Sequence, residues 1–86
     1  MDRTYIETTI ISTMQKIAQE QGIAPLDLQD ETVLLDSGLD SMSFATVVVT
    51  LEEELGEDPF LATDEVFYPT TLRDFMDFYI KYFLEK

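Results

Sequence analysis

The sequence contains no cysteine and no histidine among its 86 residues. These absences exclude disulfide bonds, thiolate zinc sites and every catalytic triad or dyad that needs either residue. The remaining reactive groups are carboxylates, hydroxyls and only five lysine and arginine side chains. We therefore expect that the protein is not an enzyme, although composition alone leaves a catalytic carboxylate pair open.

Long hydrophobic runs are also absent. No wholly apolar run exceeds three residues, as in Val47–Val49, which is far short of a membrane span. The N-terminus has no basic region followed by an apolar block, so no secretory signal is predicted. We expect a single cytoplasmic domain without membrane insertion, since a chain of this length builds one core.

Positive charge is scarce. Eighteen aspartate and glutamate residues oppose five lysine and arginine residues, which leaves a formal net charge of −13. Such a surface repels nucleic acid and anionic membranes, and it attracts proteins with basic patches. Nucleic-acid binding is therefore not expected. The apolar fraction of 45% is nevertheless that of a folded protein rather than of a disordered acidic tail.

A first helix is predicted over residues 5–21. Its apolar residues recur at spacings of four, four and three, as one helical face requires: Ile6, Ile10, Met14 and Ile17. Thr4 and Glu7 match a capping box at its start, and Gly22 is a natural stop.

The next segment, residues 22–40, has neither a helical nor an alternating period. It is too apolar for a free linker, so we expect it to lie across the bundle with a short helical turn. The side chains expected to hold it there are Ile23, Leu26, Leu28, Val33, Leu34 and Leu39.

A second helix is predicted between Asp40, which can cap it, and Gly56, which can end it in a left-handed conformation. Its core face is predicted from the helical spacing of Phe44, Val47, Val48, Leu51 and Leu55. Residues 56–59 are expected to form a turn.

Two further helices complete the prediction. A short one around Asp64–Phe67 should stop before Pro69, and a last one should run from a Thr71 cap to about Leu84. Its buried stripe is predicted to be Leu72, Phe75, Met76, Tyr79 and Phe83. The fold class is therefore all-α, a four-helix bundle of three main helices and one short helix with a long first loop.

Ser41 is the residue that this arrangement singles out. It directly follows the predicted cap, so it lies in the first turn of the second helix, where backbone N–H groups are unpaired and the helix dipole is positive. A phosphodiester on its hydroxyl would be stabilised there without a basic side chain. Gly38 permits a tight turn just upstream, which lets the serine project outward.

Leu39-Asp40-Ser41-Met42 resembles the Asp-Ser-Leu signature of acyl and peptidyl carrier proteins, with Met42 in place of the common leucine. The sequences Leu34–Gly38, Leu51–Leu55 and Tyr68–Phe75 are also similar to that family, in the same order and spacing. The resemblance covers nearly the whole chain, so a single carrier domain over residues 1–86 is expected. The full set of motifs is specific, whereas Asp-Ser-Met alone would be weak.

The resemblance implies a non-catalytic carrier. Ser41 matches the family serine that receives 4′-phosphopantetheine from coenzyme A through a magnesium-dependent phosphopantetheinyl transferase. The thiol of the arm then holds acyl or aminoacyl groups as thioesters for a loading ligase and for downstream transferases and synthases. The alternative is an acidic helical interaction module of the same fold without the prosthetic group.

The second helix carries an apolar stripe apart from its core face, at Met42, Ala45 and Val49. Glu52 and Glu53, followed by Glu54, stand near its C-terminal end, where carboxylates oppose the helix dipole at about 0.3–1 kcal/mol each. Together with Asp40 these residues predict a docking surface for basic patches on partner enzymes. The resemblance assigns the same role to this helix.

Some residues depart from the family pattern. Ser43 and Thr46 stand where many fatty-acid carriers have acidic side chains. Phe44, Phe67, Phe75 and Phe83 should leave little room for a long acyl chain inside the bundle, so we expect a short, polar or aminoacyl cargo. Fatty-acid, polyketide, nonribosomal-peptide and sugar-modifying pathways all use such carriers. We expect a monomer, with Phe78 and Tyr82 as an alternative face for weak self-association.

Overall fold

Four helices lie in the described part of the protein, which in this computed structural model is residues 1–63 and 68–85. They are α1 (Arg3–Glu20), α2 (Ser41–Leu55), the short α3 (Pro59–Ala62) and α4 (Leu72–Glu85), and a 3₁₀ turn lies at Leu34–Asp36. No strand longer than an isolated bridge occurs in these residues. The all-α prediction is confirmed, and the short helix predicted around 64–67 lies outside the described residues.

Helix α1 begins earlier than predicted. Asp2 caps it, and its Oδ1 accepts a hydrogen bond from the N–H of Tyr5 at 2.8 Å. The capping box of Thr4 and Glu7 is therefore wrong, because a good capping residue stands two positions upstream. The predicted core face is confirmed, since Ile6, Ile10, Met14 and Ile17 are all buried.

Glu7 instead joins a cluster of charges at the start of α1. The guanidinium of Arg73 on α4 hydrogen-bonds the Glu7 carboxylate, lies 3.4 Å from Asp77 Oδ1 and reaches Asp30 in the first loop at 3.9 Å. Arg3 adds contacts to Glu7 at 3.6 Å and to Asp77 at 3.9 Å. This arginine cluster (Arg3, Arg73, Glu7, Asp30 and Asp77) ties α1, the first loop and α4 together.

The long first loop lies against the bundle, as predicted. The amide of Gln15 both donates to and accepts from the backbone of Leu26, each at 2.8 Å. Backbone hydrogen bonds then join the loop to the start of α4, from Leu34 N to Thr70 O and from Leu72 N to Thr32 O, both 2.9 Å. Leu26, Leu34 and Leu39 are buried, and Leu28 is half-buried.

Two residues of that loop are not buried as predicted. Ile23 and Val33 are exposed. At Val33 the backbone holds the loop instead of the side chain, because the residue forms an antiparallel bridge with Thr71.

Helix α2 has the predicted ends. Asp40 caps it and Gly56 ends it at φ +91°, a conformation that glycine adopts without steric cost. Val47, Leu51 and Leu55 are buried, and Phe44 and Val48 are half-buried against the core. The turn that follows ends sooner than expected, because Pro59 is the first residue of α3 with Asp58 as its cap.

Helix α4 closes the bundle. Thr71 Oγ1 accepts from Asp74 N at 3.1 Å and Asp74 Oδ2 accepts from Thr71 N at 3.2 Å, so the Thr71 cap is confirmed as one half of a capping box. The predicted stripe is confirmed: Leu72, Phe75, Met76 and Tyr79 are buried, and Phe83 is half-buried.

Aromatic rings fill the space where α2, α3 and α4 meet. Phe44 of α2 lies 4.9 Å from Phe75, ring centre to ring centre, and Phe60 of α3 lies 4.8 Å from Phe78. Tyr79 contacts Phe75 at 5.0 Å and is fully buried. Burial raises the pKa of the Tyr79 hydroxyl, and nearby Asp58 and Glu52 add to that effect.

In the described part of the chain, none of the helices combines the length and the apolar character that crossing a membrane requires.

Candidate functional site

Ser41 is the first residue of α2. The Asp40 side chain caps the helix by accepting a hydrogen bond from Ser43 N at 2.8 Å, and Phe44 N donates to the Asp40 carbonyl at 2.9 Å. The Ser41 side chain is exposed, and its hydroxyl has no hydrogen-bond partner among the described residues. The predicted position of Ser41, outward on the first turn, is confirmed.

The other three serines are differently placed. Ser37 donates to the Leu34 carbonyl at 2.6 Å and accepts from Leu39 N at 3.4 Å. Ser43 is buried and accepts a hydrogen bond from the Gln21 side chain. Ser12 lies in the middle of α1, where the backbone N–H groups are already paired. Only Ser41 combines an exposed, unpartnered hydroxyl with a helix N-terminus.

The cap beside Ser41 keeps its negative charge. The backbone N–H of Ser43 donates a hydrogen bond to the Asp40 carboxylate, and this bond is the main reason that the pKa of Asp40 lies below its ordinary value. A hydrogen bond from the Ser43 hydroxyl adds to the effect. Asp40 is thus a structural cap at this end of the helix. It is also an exposed anion directly next to the Ser41 hydroxyl.

Three features hold the turn before Ser41 in place. Gly38 has φ +111°, and a side chain there would lie 3.2 Å from Leu26 Cδ2, so this position favours glycine for both its conformation and its close packing. Leu39 is buried in the core immediately before the cap. The Gln21–Ser43 hydrogen bond joins the end of α1 to the first turn of α2.

The link between Gln21 and Ser43 was missed in the sequence, although a signal for it existed. Ser43 lies four residues before Val47, at the head of the row that continues through Leu51 and Leu55. All four are buried, so this row of the core face begins at a polar residue that a search for apolar residues passes over.

The outer face of α2, which we define as Met42, Ala45, Val49, Glu52 and Glu53, is exposed throughout. The apolar stripe that the sequence predicted therefore points away from the core. The three apolar residues lie one, four and eight positions after Ser41, and the two glutamates come near the other end of the helix. At a rise of about 1.5 Å per residue, Glu52 lies roughly 16 Å along the helix from Ser41.

The segment of the chain that carries this face has charges of one sign only. No lysine or arginine occurs between Lys16 and Arg73 in the sequence, a stretch that contains the whole first loop, α2 and α3. Thr46 and Thr50 bear no charge, and their hydroxyls donate to the backbone carbonyls four residues upstream, at 3.2 and 2.8 Å. The side chains closest to Ser41 on α2 are thus neutral, and the acidic ones are distant.

The described residues contain no group of three or more acidic side chains placed to hold a metal ion. A groove of about 270 Å³ lies between α1 and α2, lined mainly by hydroxyl side chains of α1, and it does not include Ser41.

Comparison with known protein families matches the sequence to the phosphopantetheine attachment site family over residues 13–78. No curated protein and no solved structure matches the chain. Domains of this family are the site of covalent 4′-phosphopantetheine attachment and are non-catalytic carriers that interact with phosphopantetheinyl transferases and pathway enzymes. The match covers most of the chain, including α2 with the exposed Ser41 at its start. The protein therefore belongs to the phosphopantetheine attachment site family.

Proposed function

We propose that Ser41 carries the 4′-phosphopantetheine arm, and that its thiol holds acyl or aminoacyl intermediates as thioesters for partner enzymes. The observation that carries this proposal is the free, exposed hydroxyl of Ser41 on the first turn of α2, inside the segment that matches the family. The partial positive charge of a helix N-terminus stabilises a phosphodiester at that position.

The chemistry of attachment needs little from this chain. The Ser41 oxygen bonds to a phosphorus of coenzyme A, and the nucleotide part of coenzyme A leaves. The hydroxyl proton passes to a base that the phosphopantetheinyl transferase supplies. Ser41 supplies the oxygen, and the first turn of α2 presents it.

The outer face of α2 is the proposed docking surface for the transferase, for an acyl- or aminoacyl-loading ligase and for downstream transferases and synthases. Its apolar residues next to Ser41 would be desolvated by a partner, and Glu52 and Glu53 would meet a basic patch. Asp40 would contribute from beside the serine, in addition to its role as the cap.

The cargo of the arm is proposed to be short, polar or aminoacyl and to stay outside the bundle. The rings of Phe44, Phe60 and Phe75 lie between α2, α3 and α4, and an alkyl chain that entered there would have to displace them. Phe67, which was expected to take part, lies outside the described residues. An NMR structure of a long-acyl form with its chain between these helices would overturn this proposal.

A monomeric protein in the cytoplasm is the proposed setting. Coenzyme A and the transferase are available there, and a net charge of −13 opposes self-association.

Intact-mass measurement tests the attachment site. The protein is incubated with coenzyme A, Mg²⁺ and a broad-specificity phosphopantetheinyl transferase, in parallel with Ser41→Ala and Ser37→Ala. Ser37 is the matched control because it also follows an aspartate.

Wild type and Ser37→Ala should each gain one phosphopantetheine, and Ser41→Ala should gain none while its helical circular dichroism is unchanged. A gain on Ser41→Ala would place the arm elsewhere. No gain on wild type would favour the interaction module without a prosthetic group.

A further inference from the structure

Methionine is the most readily oxidised kind of side chain that this protein contains. The sequence has four methionines and no cysteine, tryptophan or histidine, so no thiol of the chain competes for an oxidant. Methionine thioethers take up oxygen to give sulfoxides, a change that enzymes can reverse. The place where an oxidant acts on this protein is therefore decided by which methionine is exposed.

Two of the four methionines are protected by the fold. Met14 of α1 and Met76 of α4 are 0% and 2% exposed and belong to the hydrophobic core. Met42 of α2 is 80% exposed and Met1 is 59% exposed. An oxidant in solution reaches these two side chains in the folded protein, and it reaches the buried pair only when the core opens.

The two exposed methionines differ in their surroundings. Met42 directly follows Ser41 on the first turn of α2 and belongs to the outer face of that helix. Met1 lies at the opposite end of α1, because Gln21 at the near end of α1 hydrogen-bonds Ser43 in the first turn of α2. The 18 residues of α1 span about 27 Å. Oxidation of Met42 therefore changes the surface beside Ser41, and oxidation of Met1 does not.

We propose that Met42 is an oxidation site through which hydrogen peroxide weakens the docking of the phosphopantetheinyl transferase at Ser41. This inference rests on the proposed function of Ser41 and of the outer face of α2. The thioether sulfur takes one oxygen atom from the peroxide, and the other oxygen leaves as water. The sulfur is oxidised by two electrons, the peroxide is reduced by two, and the product is methionine sulfoxide.

The sulfoxide acts on docking because it replaces an apolar side chain of the outer face with a polar one. An enzyme that covers Met42 then has to remove water from a strong hydrogen-bond acceptor, which costs binding free energy. The nearest hydroxyl one turn along, that of Thr46, already donates to the Met42 backbone carbonyl at 3.2 Å. The fold is unaffected, because the Met42 side chain is not part of the core.

The exposure of Met42 also makes the change reversible. Methionine sulfoxide reductases return the sulfoxide to the thioether, and a dithiol that supplies the two electrons becomes a disulfide while the oxygen leaves as water. Because the side chain is exposed, the reductase, like the peroxide, reaches it in the folded protein.

The test compares wild type with Met42→Leu, which keeps a large apolar side chain but has no sulfur at this position. The apo form of each protein is treated with hydrogen peroxide, the peroxide is removed with catalase, and peptide mass mapping locates the added oxygen. The initial rate of phosphopantetheine transfer from coenzyme A at low carrier concentration then gives kcat/KM. Each value is divided by that of the untreated sample of the same protein, and circular dichroism shows that the treated proteins are folded.

Treated wild type should carry oxygen on Met42 and Met1 but not on Met14 or Met76, and its kcat/KM should fall about fivefold, as expected for the loss of one apolar contact at an interface. Treated Met42→Leu should keep its own untreated value, although its Met1 is oxidised as well. Incubation of treated wild type with dithiothreitol and two reductases, one for each sulfoxide epimer, should restore the rate.

An unchanged rate of wild type with Met42 fully oxidised would overturn the proposal, and so would an equal loss of rate in Met42→Leu. Oxidation of Met14 or Met76 before Met42 would also overturn it, since exposure would then not select the site. In each of these cases untreated wild type is still modified, and the proposed function is intact. If untreated wild type takes up no phosphopantetheine, the proposed function itself is overturned, together with the docking effect of oxidation.

Discussion

The arginine cluster and the outer face of α2 both contain carboxylates, but they differ in whether those carboxylates are paired with cations. In the cluster, two of the five cations are placed among three carboxylates, and the side chains of Arg73 and Glu7 are each about three-quarters buried. On the outer face, Glu52 and Glu53 are exposed with no cation on their own helix. One region uses charge to join α1, the first loop and α4. The other leaves its charge exposed, and in the proposed function that charge meets a partner enzyme.

This difference predicts that substitutions in the two regions will affect different measurements. Changes in the arginine cluster should lower the free energy of unfolding. Changes on the outer face should alter binding while stability stays constant or rises. The three predictions below test that separation, starting with the largest effect.

Arg73→Ala should destabilise the protein by about 2 kcal/mol, between the values for exposed and for buried ion pairs, because it leaves three carboxylates with only Arg3 to balance them. Lys81→Ala is the matched control, since it removes the same charge from an exposed position on α4 and should change stability by less than about 0.5 kcal/mol. Urea denaturation followed by circular dichroism measures both. Equal effects of the two substitutions would mean that the cluster contributes only net charge.

Met42→Ser/Val49→Ser should weaken transferase binding about tenfold, or about 1.4 kcal/mol, because two apolar side chains of the proposed docking surface are removed. Unfolding stability should change by less than about 0.5 kcal/mol, since both side chains are exposed. Titration calorimetry with the transferase measures the affinity, and Leu84→Ser provides the control for a general loss of exposed apolar surface. A large loss of stability would show that these side chains belong to the core.

The sequence predicted the outer face better than the arginine cluster, for a physical reason. Helical period and end signals act within a few residues, so they sufficed to predict the ends of α2, the outward Ser41 and the exposed Met42 and Val49. The Arg73–Glu7 pair spans 66 residues of sequence. No local pattern selects one carboxylate among eighteen, so the pairing depends on how α1 packs against α4.

The parts of the site that were missed follow the same rule. The Gln21–Ser43 hydrogen bond crosses 22 residues, and the first loop is held to the start of α4 by a bridge between Val33 and Thr71. Asp2 is different, because its role as a cap is local. It was missed because Thr4 and Glu7 offered a second, equally regular capping pattern.

The smallest predicted effect is also the one with an unusual sign. Glu52→Gln/Glu53→Gln should raise the free energy of unfolding by up to about 1 kcal/mol, because it removes two carboxylates from the negative end of the α2 dipole. The same variant should bind the transferase more slowly and with a weaker dependence on salt, since the charges that accelerate encounter are gone.

The control for this last prediction is Asp27→Asn/Glu31→Gln, which changes the net charge equally but in the exposed first loop. This control variant should gain less stability than Glu52→Gln/Glu53→Gln, because it reduces only the general repulsion between negative charges. Its association with the transferase should also slow down less. Stopped-flow measurements over a range of salt concentrations compare the two. If both variants slow association equally, the carrier attracts its partner through its total charge. If only the α2 variant does, the glutamates of the outer face direct the partner to Ser41.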